Sequence, residues 1–215
     1  IGAVFRIVLA AILGDEGIGL YIYAYPIYST LLVISTAGIP VALSKLMAEN
    51  IALKRFSEAR RIFRIAFLIL AATGLLIAIL LILGADLIAY HVVGDLKATY
   101  PIIAIAPAIF FVTIMGSLRG FFQGQQNMLP TAISQLLEQL IRVGFSILLV
   151  FILMPLGLEY ASAGATSGAA AGGLAGLAFL AILYFRKGAQ LFSKDHNGSN
   201  RLPTPAKRVV RQIFS

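Results

Sequence analysis

The chain has 215 residues, of which 60% are apolar and only 12% charged; its mean hydropathy is +0.93 and its formal net charge +8. A soluble domain carries about 25% charged residues, so this composition excludes a soluble globular domain and a disordered chain alike. There is no cysteine, which removes a disulfide framework and thiol chemistry, and His91 and His196 are the only histidines.

A membrane-spanning helix needs about 20 mainly apolar residues. Ile1 to Leu13 is apolar except for Arg6, but it is too short to span. It has no initiator Met and no signal-peptide layout, so it reads as the second half of a first helix (1–13, truncated). Gly17 to Ser44 runs 28 residues without a charge and predicts a helix over 18–46, with Pro26 and a Gly38-Ile39-Pro40 break inside it. Ile65 to Ala85 (21 residues) predicts a helix over 62–88. Ala98 to Leu118 (21 residues) predicts one over 98–122, with Pro101 and Pro107. Val143 to Leu158 offers only 16 uncharged residues, so that helix must reach back through Arg142 and Glu138 to cover 129–157. Tyr160 to Phe185 (26 residues) predicts the last span, 160–186.

Residues 187–204 are polar and rich in Asn, Ser and Pro, and read as a linker. From Pro205 to Ser215, Val209, Val210, Ile213 and Phe214 share a face against Lys207, Arg208 and Arg211. This predicts a short amphipathic helix at the membrane surface, leading into further chain. The expected fold is all-α: a polytopic membrane helical bundle of one partial and five complete helices.

Lys and Arg concentrate in cytoplasmic loops of membrane proteins. With the start of helix 1 in the cytoplasm, 14 of the 17 basic residues fall on that side, including Lys45, Lys54 to Arg64, Arg119 and the tail. Arg6 and Arg142 lie within spans, and Lys97 alone is outside. The outer loops hold Asp15, Glu16, Asp86, Asp95 and Glu159. N-terminus and tail are therefore expected in the cytoplasm, and the +8 calls for no nucleic-acid partner.

Proline inside a helix removes a donor and clashes one turn back. Pro26, Gly38, Pro40, Pro101 and Pro107 are either packing kinks or flexible gates of the kind broken transporter helices use. Gly164, Gly168, Gly172 and Gly176 recur every fourth residue, a smooth stripe for close helix packing.

An ionisable residue inside a span costs roughly 2.5–3.5 kcal/mol on insertion scales and is a functional candidate by default. Arg6 either forms a buried ion pair, with Glu138 as partner, or is a cation in a watery cavity, its planar fork suited to phosphate. Glu138 and Arg142 are spaced i, i+4 in the favourable order, and Gln135 and Gln139 extend the polar stripe. That stripe is either a buried structural face or a cavity wall for a polar head group, with Glu138 exchanging protons or a cation. Lys45 and Arg119 sit near cytoplasmic helix ends, as surface anchors or as donors to an entering substrate. No Ser-His-acid set, P-loop ending or metal-ligand cluster is visible, so the reading is not an enzyme and requires no cofactor beyond a possible coupling ion, H⁺ or Na⁺.

The runs Ile12-Leu13-Gly14-Asp15-Glu16-Gly17-Ile18-Gly19-Leu20-Tyr21, Tyr25-Pro26-Ile27-Tyr28 and Ser35 to Leu46 resemble the start of the stage V sporulation protein B type of polysaccharide transporter. Arg119-Gly120 through Gln123-Gly124, Pro130-Thr131 and Gln135 to Arg142 are similar to that family's fourth and fifth helices. The family belongs to the multidrug/oligosaccharidyl-lipid/polysaccharide exporter superfamily, whose members include lipid II flippases. The resemblance implies a MATE-like, V-shaped transporter of two six-helix lobes in the bacterial plasma membrane, of which this chain is the N-terminal one, the second lobe and membrane lipids being its partners. It also implies alternating access and a cationic cavity for the pyrophosphate of an undecaprenyl-linked saccharide, with Arg6 at the position of a basic helix 1 residue. A cation-coupled drug exporter of the same fold and a non-transporting scaffold of envelope synthesis are the competing readings. The first would favour acidic residues in the cavity, where helix 1 offers Arg6.

Overall fold

A computed structural model describes residues 2–36 and 38–188. The tail from 189 on, with the expected amphipathic helix 205–215, lies outside the described residues. The helices are α1 (Gly2–Thr36), α2 (Ile39–Ala52), α3 (Phe56–Leu83), α4 (Ala85–Ile88), α5 (Thr99–Gly124), α6 (Leu129–Leu153) and α7 (Leu158–Leu183). Single π- and 3₁₀-turns follow α4, α6 and α7. Five segments among the described residues are long and apolar enough to cross a membrane. The chain is a multi-pass membrane protein, all-α as its hydropathy predicts.

α1 is a hairpin folded at Gly14, whose backbone (φ 66, ψ −175) is non-helical. Residues sixteen apart on a straight helix would be about 24 Å apart, yet the rings of Phe5 and Tyr21 lie 6.2 Å apart. Arg6 reaches the ring of Tyr25 in the same way. The short first arm, 2–13, thus runs back along the second, 15–36. The Gly14 conformation is open almost only to glycine. Gly14→Ala is therefore expected to destabilise the protein by about 1–3 kcal/mol. The control is Gly19→Ala, where a new Cβ meets nothing within 4 Å; thermal unfolding in mild detergent should separate the two.

The helix expected over 18–46 is in fact two. α1 stops at Thr36, and Gly38 opens α2 in a left-handed conformation (φ 74). The Ser35 carbonyl at this break accepts a bond from the Thr73 hydroxyl at 3.2 Å, and the Ser35 hydroxyl lies 3.0 Å from that of Thr113. Neighbouring helices thus supply partners that the broken ladder lacks. The expected Gly38-Ile39-Pro40 break is thus present, while the kink expected at Pro101 is not. Pro40 stands in the first turn of α2 and Pro101 in the first turn of α5, where a missing N–H costs nothing. Pro26 and Pro107 do lie inside helices, α1 and α5.

α5 is the central strut, with buried residues on all sides along its length. α2 approaches it through Gly116, Gly120 and Gly124, a second small-residue stripe. A Cβ at Gly120 would come within 2.8 Å of the Pro40 carbonyl, and one at Gly124 would meet Met47 and the Ser44 carbonyl. On its other side α5 packs with α7, and the glycines of α7 receive α6. Gly164 faces Leu149, Gly168 faces Ser146 and the Arg142 carbonyl, and Gly172 faces the Glu138 carbonyl. Without a hydrophobic drive between helices in lipid, such close contact is what holds them. Outward, Leu68, Leu75, Leu76, Leu140, Leu148 and Phe151 are exposed, as lipid-facing residues are.

Candidate functional site

The α6–α7 contact carries a polar row. Ser134, Glu138 and Arg142 recur every fourth residue, so they lie one above another on α6. Arg119 comes to them from α5. Glu138 is the hub: its Oε1 accepts from Arg142 Nη2 at 2.7 Å and its Oε2 from Arg119 Nη2 at 2.9 Å. Arg119 Nε also donates to the Ser134 hydroxyl at 3.3 Å. The side chains are 9% exposed for Glu138, 12% for Arg142 and 17% for Arg119, so these are charges held away from solvent. Two guanidiniums on one carboxylate leave a net charge of about +1. Both carboxylate oxygens already accept a charge-assisted bond, the strong kind.

An open pocket of about 560 Å³ adjoins the cluster, lined by Arg119, Ala132, Gln135, Leu136, Glu138 and Gln139. Its size falls among ligand sites, about 300–1,000 Å³. Arg142 stands behind the pocket wall, with its Nε buried and unpartnered.

Arg119 departs from its expected surroundings. It lies inside the helix, as the expected span over 98–122 has it, but is ion-paired to α6 rather than anchored at the surface. Lys45 is exposed on α2, opposite the face that Leu43 and Met47 bury, and does not line the pocket. Arg6 does not pair with Glu138. It is exposed and lies over the Tyr25 ring, 5.2 Å from its centroid. Tyr21, Tyr25 and Tyr28 form an aromatic row on α1, with centroids 6.4 and 6.0 Å apart.

The tyrosines and Ser134 were not among the residues singled out from sequence. Ser134 shows its signal in retrospect, one turn before Glu138. Among the described residues no group of three or more acidic or histidine side chains could hold a metal ion.

A family model described as polysaccharide biosynthesis protein matches residues 1–213. The chain is 37% identical over 228 residues to stage V sporulation protein B of Bacillus subtilis (strain 168), covering 99% of this chain and 44% of that protein. It is 29% identical over 226 residues to lipid II flippase MurJ of the same organism, covering 100% of this chain and 42% of that protein. The uncharacterized membrane protein YabM, also of B. subtilis, is 37% identical over 190 residues, or 86% of this chain and 34% of its own length. No solved structure matches. The chain spans less than half the length of each of these relatives. With the family model matching nearly every residue, the chain belongs to the polysaccharide biosynthesis protein family.

Proposed function

We propose that the chain is one helical lobe of a membrane flippase or exporter that moves lipid-linked saccharides. Its polar row binds the anionic phosphate part of the cargo. The observation that carries this reading is the Arg119–Glu138–Arg142 cluster, cationic in sum and bordering a pocket with Gln135 and Gln139. A charged head group crossing hydrocarbon needs such a lining, because an unpaired charge in the membrane is costly. Guanidinium forks match phosphate oxygens in pairs. Arg6, exposed beside Tyr25, adds a second cation on α1.

The same cluster weighs against a cation exporter. Glu138 is engaged at both oxygens by guanidiniums, which leaves it poorly placed to take a coupling cation or a cationic drug. In the mechanism, phosphate binds from the cytoplasmic side, the side that holds most of the basic residues, and the polyprenyl tail stays in lipid. Rocking of this lobe against a second then exposes the cargo outside. The break at Gly38 and the interrupted ladders at Pro26 and Pro107 are where α1, α2 and α5 can bend.

The test is transport of a fluorescent pyrophosphate-linked saccharide by the full-length protein in liposomes. Arg6→Gln is expected to lower initial flipping at least about tenfold, the loss of one charge-assisted contact, with an unchanged melting temperature because Arg6 is exposed. Undiminished flipping by Arg6→Gln would remove Arg6 from the site. Undiminished flipping by Arg119→Gln as well would sink the reading.

A further inference from the structure

A second cavity, of about 440 Å³, shares no lining residue with the first. It lies between α3 and α7, which both pack on α5 and leave a cleft over it. Ile114 and Leu118 of α5 form the floor, Phe67 one wall, and Leu177 and Ala181 the other. Tyr184 closes one end, 4.9 Å from the ring of Phe63 and 5.0 Å from that of Phe121. Arg60 and Arg64, both exposed and one turn apart on α3, stand at the mouth.

The cleft lies where the basic stretch 54–64 gives way to the apolar body of α3. An arginine pair there is at head-group depth, while the cleft beyond it is at acyl-chain depth. A dry apolar gap forfeits its dispersion contacts, and within hydrocarbon the available filler is hydrocarbon. Two guanidiniums one turn apart can share a phosphate. The chain's own segment 189–215 is a poor occupant. It carries Lys194, Arg201, Lys207, Arg208 and Arg211 against Asp195 alone, so the arginine mouth repels it.

We propose that this cleft binds one anionic phospholipid, with an acyl chain laid along Leu118 and Ala181 and the phosphate held by Arg60 and Arg64. The lipid is a bound component of the lobe, separate from the transported cargo. It ties α3 to α7 at the basic end of the bundle.

The test is native mass spectrometry of the full-length protein from micelles holding equal amounts of palmitoyl-oleoyl phosphatidylglycerol and phosphatidylcholine. One phosphatidylglycerol per chain is expected to survive, favoured roughly 25-fold, about fivefold for each arginine. Arg60→Gln with Arg64→Gln should bring the two lipids to parity, and the corresponding double lysine variant should keep most of the preference. Ala181→Trp fills the cleft, leaves both arginines in place, and should abolish retention of either lipid. Equal retention of the two lipids by the parent protein overturns the proposal, as does full retention by Ala181→Trp. Lipid binding that emerges only after residues 189–215 are removed also overturns it, because the chain's own tail would then be the occupant.

Discussion

Replacing Glu138 with alanine is expected to destabilise the protein by about 3–5 kcal/mol, the usual cost of removing one partner from a buried ion pair. The reason is the geometry of the cluster. Arg119 and Arg142 approach the two oxygens of one carboxylate from different helices, at 2.9 and 2.7 Å. Without it, two guanidiniums face each other at low dielectric, where like charges repel far more strongly than in water. Neutralising either arginine alone should cost less, because the carboxylate keeps a partner. The decisive variant replaces all three at once, Glu138→Leu with Arg119→Met and Arg142→Met. Apolar replacement of a whole buried cluster is often neutral for stability, so this protein should melt close to the parent. It should nevertheless fail to move a phosphate-bearing cargo. A stable triple variant that still transports would show the cluster to be a structural staple and place binding elsewhere. An alanine variant at Glu138 as stable as the parent would show that the carboxylate does not hold the arginines together.

The pairing of Glu138 with Arg142 was legible because it depends only on spacing along one helix. The place of Arg119 was not. The expected helix over 98–122 already contains it, but only the packing of α5 beside α6 brings its guanidinium to Glu138. Arg6 shows the converse error: the apolar run around it invites a buried partner, but the hairpin at Gly14 gives it a tyrosine face. The spans themselves were readable from charge-free lengths, since the bilayer imposes a minimum. Breaks within them were harder. Pro101 looks like a kink within its charge-free run, yet it stands in the first turn of α5, which depends on where the preceding chain stops. The turn at Gly14 does fall between the expected first helix, 1–13, and the second, from 18. The stripe on α7 was visible as a period of four, but its purpose required knowing which face α6 presents to it.

That purpose gives the second large expected effect, Gly172→Ala. The new methyl would sit 2.5 Å from the backbone carbonyl oxygen of Glu138 and 3.1 Å from the Arg142 Cβ. A carbonyl cannot rotate aside as a side chain does, so α6 and α7 must separate. Overpacking of this kind costs about 1–3 kcal/mol, and here it acts at the two residues that form the ion pair. Transport should fall with stability, because Glu138 would be carried away from Arg119, which is anchored on α5. Neighbouring glycines grade the effect. At Gly176 the nearest obstacle is the Met115 sulfur at 2.7 Å, the mobile end of a flexible chain, with the Ser134 carbonyl at 3.3 Å. Gly176→Ala should therefore be milder. At Gly144, on the far face of α6, a methyl meets nothing within 4 Å. Gly144→Ala should be neutral or stabilising by up to about 1 kcal/mol, from the better helix propensity of alanine. Melting temperatures of the three variants in one detergent, ordered Gly144→Ala, Gly176→Ala, Gly172→Ala from highest to lowest, would show that backbone contact between α6 and α7 sets the cluster in place. A Gly172→Ala protein that melts and transports like the parent would mean that the helices have slack there, and that the row of Ser134, Glu138 and Arg142 is held by its ion pairs alone.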